Sequence, residues 1–387
     1  MSTQTSPTSQ TFKEGLEDVV AGTSAICYLD GRAGRLLYRG YDVHDLAKSS
    51  CFEEVVYLLW HGELPTRSQL EQLRSELLEN RELPGPVLDM MRTWPHKAHP
   101  MEVLRSAASL LSMWDPDAGD NSMEANLRKS TRLTARLPTI VAAFDRLRAG
   151  KEPVKPDPNL NEAANFLWML NEKRPPEDEA RMLDISLILH ADHELNASTF
   201  ACRVTIATLS DMYAAITSGI GTLAGPLHGG ANTAVMNMLL EIDAKKGGTP
   251  ENAVAWVDNL ISQGKKIAGF GHRVYRTEDP RATWLRRFSE QLSDKRGERK
   301  WFEMSRAIEE YMKSEKHIWC NVDFYSASVH YLLGLPTDEF TPFFAMSRVS
   351  GWAAHVMEQL ANNRLIRPRA EYVGPPPRPY KPLAERG

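Results

Sequence analysis

Three polar residues sit in glycine-rich or helix-starting segments: His228 in GPLHGGAN, His272 in GFGHRVYRTEDPRA and Asp323 in CNVDFYSASV. Loops of this kind let backbone approach a ligand closely, and the three residues together offer one carboxylate base and two imidazoles. His228 precedes TAVMNMLLEI, whose apolar residues recur at helical spacing. The positive end of that helix would disfavour a charged ring, so a neutral His228 could donate a hydrogen bond to an oxygen on which charge is growing. Asp323 precedes FYSASVHYLL, and a helix start there would keep its carboxylate ionised, as a general base requires. His272 is surrounded by Arg273, Arg276 and Arg281, with Lys265 and Lys266 just upstream, a cation density suited to a polyphosphate or a dicarboxylate.

Each segment also has a plain structural explanation. His228 can be a turn residue that caps a helix, Asp323 an ordinary N-cap, and the cations around His272 a solvated charge run. Other apparent motifs fail. GIGTLAG at 219–225 spaces its last glycine one residue too far for a dinucleotide fingerprint, and HADHE at 190–194 has the wrong order for a zinc helix. Neither a phosphate-binding P-loop nor a G-x-S-x-G elbow occurs.

The elements that must position these residues are nearly all helical. FEEVVYLLWHG, TRSQLEQLRSELLENR, HPMEVLRSAASLLSMW, EARMLDISLILHADHE and ASTFACRVTIATLSDMYAAI place apolar residues three and four apart, between Pro, Gly and Asn breakers. SAICYL and RLLYRG flank DGRAG and predict one short β-hairpin over 24–40. GKEPVKPDPNLN at 150–161 reads as an exposed connection and GPPPRPYKPLAERG as an extended tail. No fixed-period repeat marks a solenoid.

With 387 residues and a formal net charge of -4, the chain has room for two or three packed domains and lacks the basic excess expected of a nucleic-acid or membrane-surface binder. A small-molecule partner is expected. Cys27, Cys51, Cys202 and Cys320 are far apart and read as buried or idle thiols in a reducing compartment. The opening MSTQTSPTSQTF lacks arginines and an apolar run, and no stretch of about 18 uncharged apolar residues occurs, so the cytoplasm is the expected location.

In order along the chain, HADHELNAST, GPLHGGAN, GFGHRVYRTEDPRA, NVDFYSASV, FTPFFAMSRVSGW and NNRLIRPRAEYVGP closely resemble the citrate synthase family in its shorter bacterial and archaeal form, over about residues 16–375. The resemblance implies an all-α, two-domain fold with one short N-terminal β-hairpin: a tail at 1–15, a large domain at 16–228 and 334–387, and a small domain at 229–333. It implies a homodimer with shared active sites, and condensation of acetyl-CoA with oxaloacetate and water to citrate and CoA. No tightly bound cofactor and no metal are expected, acetyl-CoA being a co-substrate.

By their place in these motifs, His228, His272 and Asp323 correspond to the family's catalytic residues, and His193, Arg281 and Arg348 to its oxaloacetate-binding groups. Arg367 corresponds to an arginine that enters the partner subunit's site. Coenzyme A would lie on Gly269, Phe270, Gly271, His272 and Arg273, with Arg276, Lys265 and Lys316 as phosphate partners. Cys320 stands where family members usually have proline, which would leave its loop less rigid. Two other functions fit the same features, 2-methylcitrate synthesis from propionyl-CoA and a non-catalytic CoA-binding helical protein.

Overall fold

The apolar periodicities become sixteen α-helices and one small antiparallel sheet in the computed structural model, which describes residues 13–16 and 19–386. The chain is all-α in class. The tail expected at 1–15 lies outside the described residues except for 13–15, where Glu14–Leu16 form a single 3-10 turn.

Helix boundaries follow local chemistry. Thr66 opens Arg67–Asn80 with a reciprocal capping box to Gln69, and His99 does the same with Glu102 at Pro100–Leu111. Gly62, at a φ of 88°, closes Phe52–His61. The continuous apolar pattern of ASTFACRVTIATLSDMYAAI is in fact two helices, Ala197–Ile206 and Met212–Leu223. The break is conformational: Leu209 takes a φ of 62°, and the Asp211 side chain accepts from the Ala214 amide to start the second helix. Neither residue is a Gly or Pro, so the break carried no strong sequence mark.

Strands Cys27–Asp30 and Arg35–Tyr38 pair with Cys27 opposite Tyr38 and Asp30 opposite Arg35. The predicted hairpin gains a third strand, Tyr41–Asp42, because Arg39 and Gly40, with φ of 49° and 90°, form a tight return that sets Tyr38 opposite Tyr41. The 150–161 connection is irregular as expected, but Trp168 Nε1 and Arg81 hold the carbonyls of Lys155 and Asp157. Beyond Ala361 the chain is extended and largely exposed, with one 3-10 turn at Leu383–Glu385.

Helix Phe340–Ala361 is the centre of the first packing group, touching Met123–Arg148, Ala197–Ile206, Met212–Leu223, Phe52–His61 and Glu177–His190. All but three of its 22 residues are buried, as expected for a helix apolar on every face. A second group, the helices Ala231–Lys246, Pro250–Ser262, Pro280–Arg296, Lys300–Glu315 and Val322–Leu332, packs chiefly on itself. Among the described residues no helix is long and apolar enough to cross a membrane.

The central helix meets the end of Glu177–His190 at Gly351. A Cβ there would lie 2.3 Å from Ala191 O and 2.5 Å from Asp192 Oδ1. Gly351→Ala should therefore lower unfolding free energy by about 1–3 kcal/mol, the usual cost of overpacking, when measured by denaturant titration. An unchanged midpoint and slope would show that this helix contact can relax freely.

Candidate active site

Residues from four loops and helix starts converge between the two packing groups. Glu177–His190 ends where Tyr38 Oη donates to Ile188 O and Asp192 O, and Arg348 Nε donates to His190 O at 2.8 Å. His193 follows at once, and Glu194, at a φ of 54°, turns the chain away. His193 is 9% exposed, with Nε2 buried and unpartnered. Its ring lies 5.1 Å from that of His272, edge to face.

His228 lies in the turn before Ala231–Lys246, whose N-cap is Gly230. Its Nε2 accepts from the Ser198 amide at 3.3 Å and is 2.8 Å from Ser198 Oγ. That hydroxyl accepts from Trp352 Nε1 and donates to Asn196 Oδ1 at 2.7 Å. The His228 proton is therefore on Nδ1. The ring is neutral, as expected, with its pKa lowered to about 4 by burial first and by Arg348 second. The helix start that orients the ring is that of Ala197–Ile206, capped by Asn196, and not the one that follows His228 in sequence.

His272 shows the opposite tautomer. Its Nδ1 accepts from the Val274 and Tyr275 amides at 3.0 and 3.1 Å, which leaves the proton on Nε2. Burial, then Arg281, brings its pKa down to about 4. The cation run around it divides: Arg273, Arg276 and Lys265 are exposed, whereas Arg281 is 3% exposed and paired with Asp279 through Nε at 2.9 Å and Nη2 at 2.7 Å. Asp279 also caps Pro280–Arg296 and accepts the Val322 amide. Lys316 lies 3.6 Å from Asp258, a surface carboxylate.

Asp323 is not an N-cap. Asn321 caps Val322–Leu332 by accepting the Asp323 amide at 3.0 Å, so the Asp323 side chain is free of capping duty. Its Oδ1 is buried and unpartnered, and burial, opposed by Arg281, raises its pKa to about 7. The helix start expected to keep it ionised is outweighed by desolvation. Arg348, 1% exposed and stacked 4.7 Å over Phe344, has Nη2 buried without a partner, and among the described residues no carboxylate is within ion-pair distance of it.

Arg281, His272, Arg348 and His228 all lie near enough to oppose protonation of His193, and Arg281 and Arg348 near enough to favour ionisation of Asp323, so six of the expected residues form one cluster. Beside it a cavity of about 190 Å³ is lined by Gly271, His272, Tyr275, Arg276 and Cys320 among others. A recess of about 640 Å³ between helices Phe52–His61, Arg67–Asn80 and Met123–Arg148 contains none of these residues. Gly269, at a φ of 79°, abuts Val235 and Phe324, and a Cβ there would lie 2.8 Å from Val235 Cγ2. Phe270 pairs with Cys320 in an isolated antiparallel bridge, whose bonds run from the Gly271 amide to Trp319 O and from the Asn321 amide to Gly269 O. Neither bond uses the amide of Cys320, so the loop is held firmly without a proline. Arg367 is exposed, and among the described residues it has no ion pair.

Ser198, Asn196, Trp352, Asn321 and Asp279 were missed as supporting residues. Asn196 before a helical run and Asp279 before Pro280 are legible cap signals, but the imidazole and guanidinium they orient come from chain positions only folding brings near. Among the described residues no group of three or more His, Cys, Asp or Glu could hold a metal ion.

The raised carboxylate has a stability consequence. Native Asp323 holds its proton up to about 7, whereas the unfolded group loses it near 3.8, so its contribution to stability falls as pH rises between those values. Asp323→Asn should therefore be more stable than the parent at pH 8 by on the order of 1–4 kcal/mol, with the gap closing below about pH 4. Denaturant titrations at the two pH values check this, and a pH-independent difference would contradict a raised carboxylate.

A buried base of near-neutral pKa, two neutral imidazoles of fixed tautomer and an unpaired guanidinium suit proton abstraction beside a carbonyl, with stabilisation of the resulting oxyanion. Residues 15–369 match the family model described as citrate synthase, C-terminal domain. The citrate synthase of Haloferax volcanii is 49% identical over 379 residues, covering 97% of this chain and 99% of that protein. The 2-methylcitrate synthase 1 of Corynebacterium glutamicum is 40% identical over 379 residues, covering 97% and 98%. The solved citrate synthase of Thermoplasma acidophilum, in ternary complex with carboxymethyl coenzyme A and oxaloacetate, superposes with a TM-score of 0.90 at 34% identity, covering 97% of this chain and all of that one. On sequence and fold alike, the chain belongs to the citrate synthase family.

Proposed function

We propose that the protein condenses acetyl-CoA with oxaloacetate and water to give citrate and CoA. The observation that carries this reading is the Asp323 carboxylate, buried without a partner and acted on by the guanidiniums of Arg281 and Arg348. Asp323 takes a proton from the acetyl methyl group while His228 Nδ1–H donates to the developing enolate oxygen. The enol carbon attacks the oxaloacetate ketone, which His272 Nε2–H polarises and protonates. Water then cleaves the thioester carbon–sulfur bond of citryl-CoA and releases the thiol.

His193, Arg281 and Arg348 hold the oxaloacetate carboxylates and ketone, and Arg367 reaches the site of a second subunit in a homodimer. The oxaloacetate dianion would supply an acceptor for Arg348 Nη2, whose burial without a partner otherwise costs stability. Coenzyme A lies along Gly269–Arg273 with Arg276, Lys265 and Lys316 toward its phosphates. The two packing groups support a large domain at 16–228 and 334–387 and a small one at 229–333. A non-catalytic binding protein would have no use for a destabilising carboxylate at Asp323. Propionyl-CoA is the alternative acyl donor, since one methylene is worth only about 1–3 kcal/mol; the greater identity to the Haloferax citrate synthase favours acetyl-CoA.

Thiol release from acetyl-CoA should require oxaloacetate and exceed that from propionyl-CoA. Its kcat/KM should fall tenfold per unit as pH drops below about 7, where Asp323 takes up a proton. Asp323→Asn should lower kcat on the order of 10²- to 10⁴-fold with oxaloacetate binding retained. Near-normal turnover in that variant would remove Asp323 from the mechanism.

Mixing Asp323→Asn with Arg367→Ala under subunit exchange should restore part of the activity, because each mixed dimer has one site with both groups intact. No recovery in verified heterodimers would place Arg367 outside the partner's site.

A further inference from the structure

The tip of the N-terminal hairpin touches the segment that holds His272. Asp30 Oδ1 accepts the Arg32 and Ala33 amides, each at 2.9 Å, and shapes the turn between the first two strands. Gly31 O then accepts the Arg276 amide at 2.8 Å. An ideal Cβ on Gly31 would lie 2.1 Å from Val274 O and 2.8 Å from Val274 C. Gly34, the other glycine of the turn, meets Thr277 and Glu278 in the same way.

The contact bears on His272 through a single peptide group. The Val274 carbonyl faces Gly31, and the amide of the same peptide, Tyr275 N–H, donates to His272 Nδ1 at 3.1 Å. A peptide group is planar, so tilting its carbonyl also moves its N–H. The next amide, that of Arg276, is the one tied to Gly31 O. The hairpin thus presses on one side of a rigid plate whose other side sets the tautomer of the imidazole.

We infer that Gly31 is a positioning residue for His272: docking of the hairpin tip against the Val274–Tyr275 peptide fixes the Nε2–H tautomer and the ring's aim. The assignment of His272 as the ketone's proton donor rests on the proposed function; the link between Gly31 and the ring does not. Gly31 does not have a left-handed φ, so alanine is conformationally acceptable there, and the three atoms nearest to its added methyl group all belong to Val274. Gly31→Ala therefore probes the docked contact with little intrinsic effect on the turn. Gly34, at a φ of 63°, offers no such clean probe.

The test uses the full-length protein with 15N-labelled histidine. In the parent, long-range 1H–15N spectra should show His272, assigned with His272→Gln, as the Nε2–H tautomer; in Gly31→Ala its two nitrogen shifts should move toward each other as tautomers mix. Thiol release from acetyl-CoA plus oxaloacetate should fall in kcat on the order of 10²-fold, the cost of about 1 Å of misplacement, with a melting transition lowered by overpacking but still cooperative. Unchanged His272 shifts in folded Gly31→Ala would overturn the inference. Should that variant not fold, Asp30→Ala loosens the same turn without adding a methyl group, and unchanged His272 shifts there would overturn it equally. Absence of thiol release by the parent would fail the proposed reaction alone, because the nitrogen shifts report on the contact without turnover.

Discussion

A buried guanidinium that, among the described residues, has no carboxylate within ion-pair distance sets the terms for the rest of the site. Arg348 lies on the most enclosed helix of the molecule, with Nε spent on His190 O and Nη2 facing no acceptor. Buried Asp192 compensates this charge only from beyond ion-pair distance, so a guanidinium with an unfilled donor calls for a rigid frame and suits an anion that completes it. The frame is the packing of Phe340–Ala361 against the end of Glu177–His190, where Gly351 allows backbone to approach closely and Tyr38 gathers the last carbonyls. The same contact presents His193, three residues beyond the end of that helix.

Dryness at this position shifts acid and base in opposite directions. Burial removes stabilising water from whichever form is charged, so one environment lowers His228 and His272 to about 4 and lifts Asp323 to about 7. Arg281 and Arg348 strengthen the effect on the imidazoles and moderate it on the carboxylate. The outcome is a base close to neutral pKa in one cluster with donors that stay uncharged, the combination that enolisation of a thioester needs.

Backbone amides, rather than acidic side chains, choose the tautomers. Ser198 N–H leaves the His228 proton on Nδ1, and the Val274 and Tyr275 amides leave that of His272 on Nε2. An amide donor fixes a ring without adding a charge that would raise its pKa. Asp279 and Asn321 act similarly at one remove, capping two helix starts so that Arg281 and Asp323 are carried on firm backbone.

The sequence by itself determined the helical class, the sheet's first two strands and several helical segments, and it singled out residues that the fold brings close together. Those features depend on local periodicity, on cap and turn chemistry, and on six motifs whose order is visible in one dimension. It did not reveal the break at Leu209, because a non-glycine residue in a left-handed turn leaves the apolar spacing intact. It also misassigned the cap at Asp323 to the carboxylate, where Asn321 two residues earlier does that work. Only the tertiary structure decided protonation and tautomer. His228 is oriented by Ser198, thirty positions away in sequence, and Asp323 is raised by burial among residues from distant segments. Desolvation is a property of the assembled cluster and has no value until the chain has closed around it.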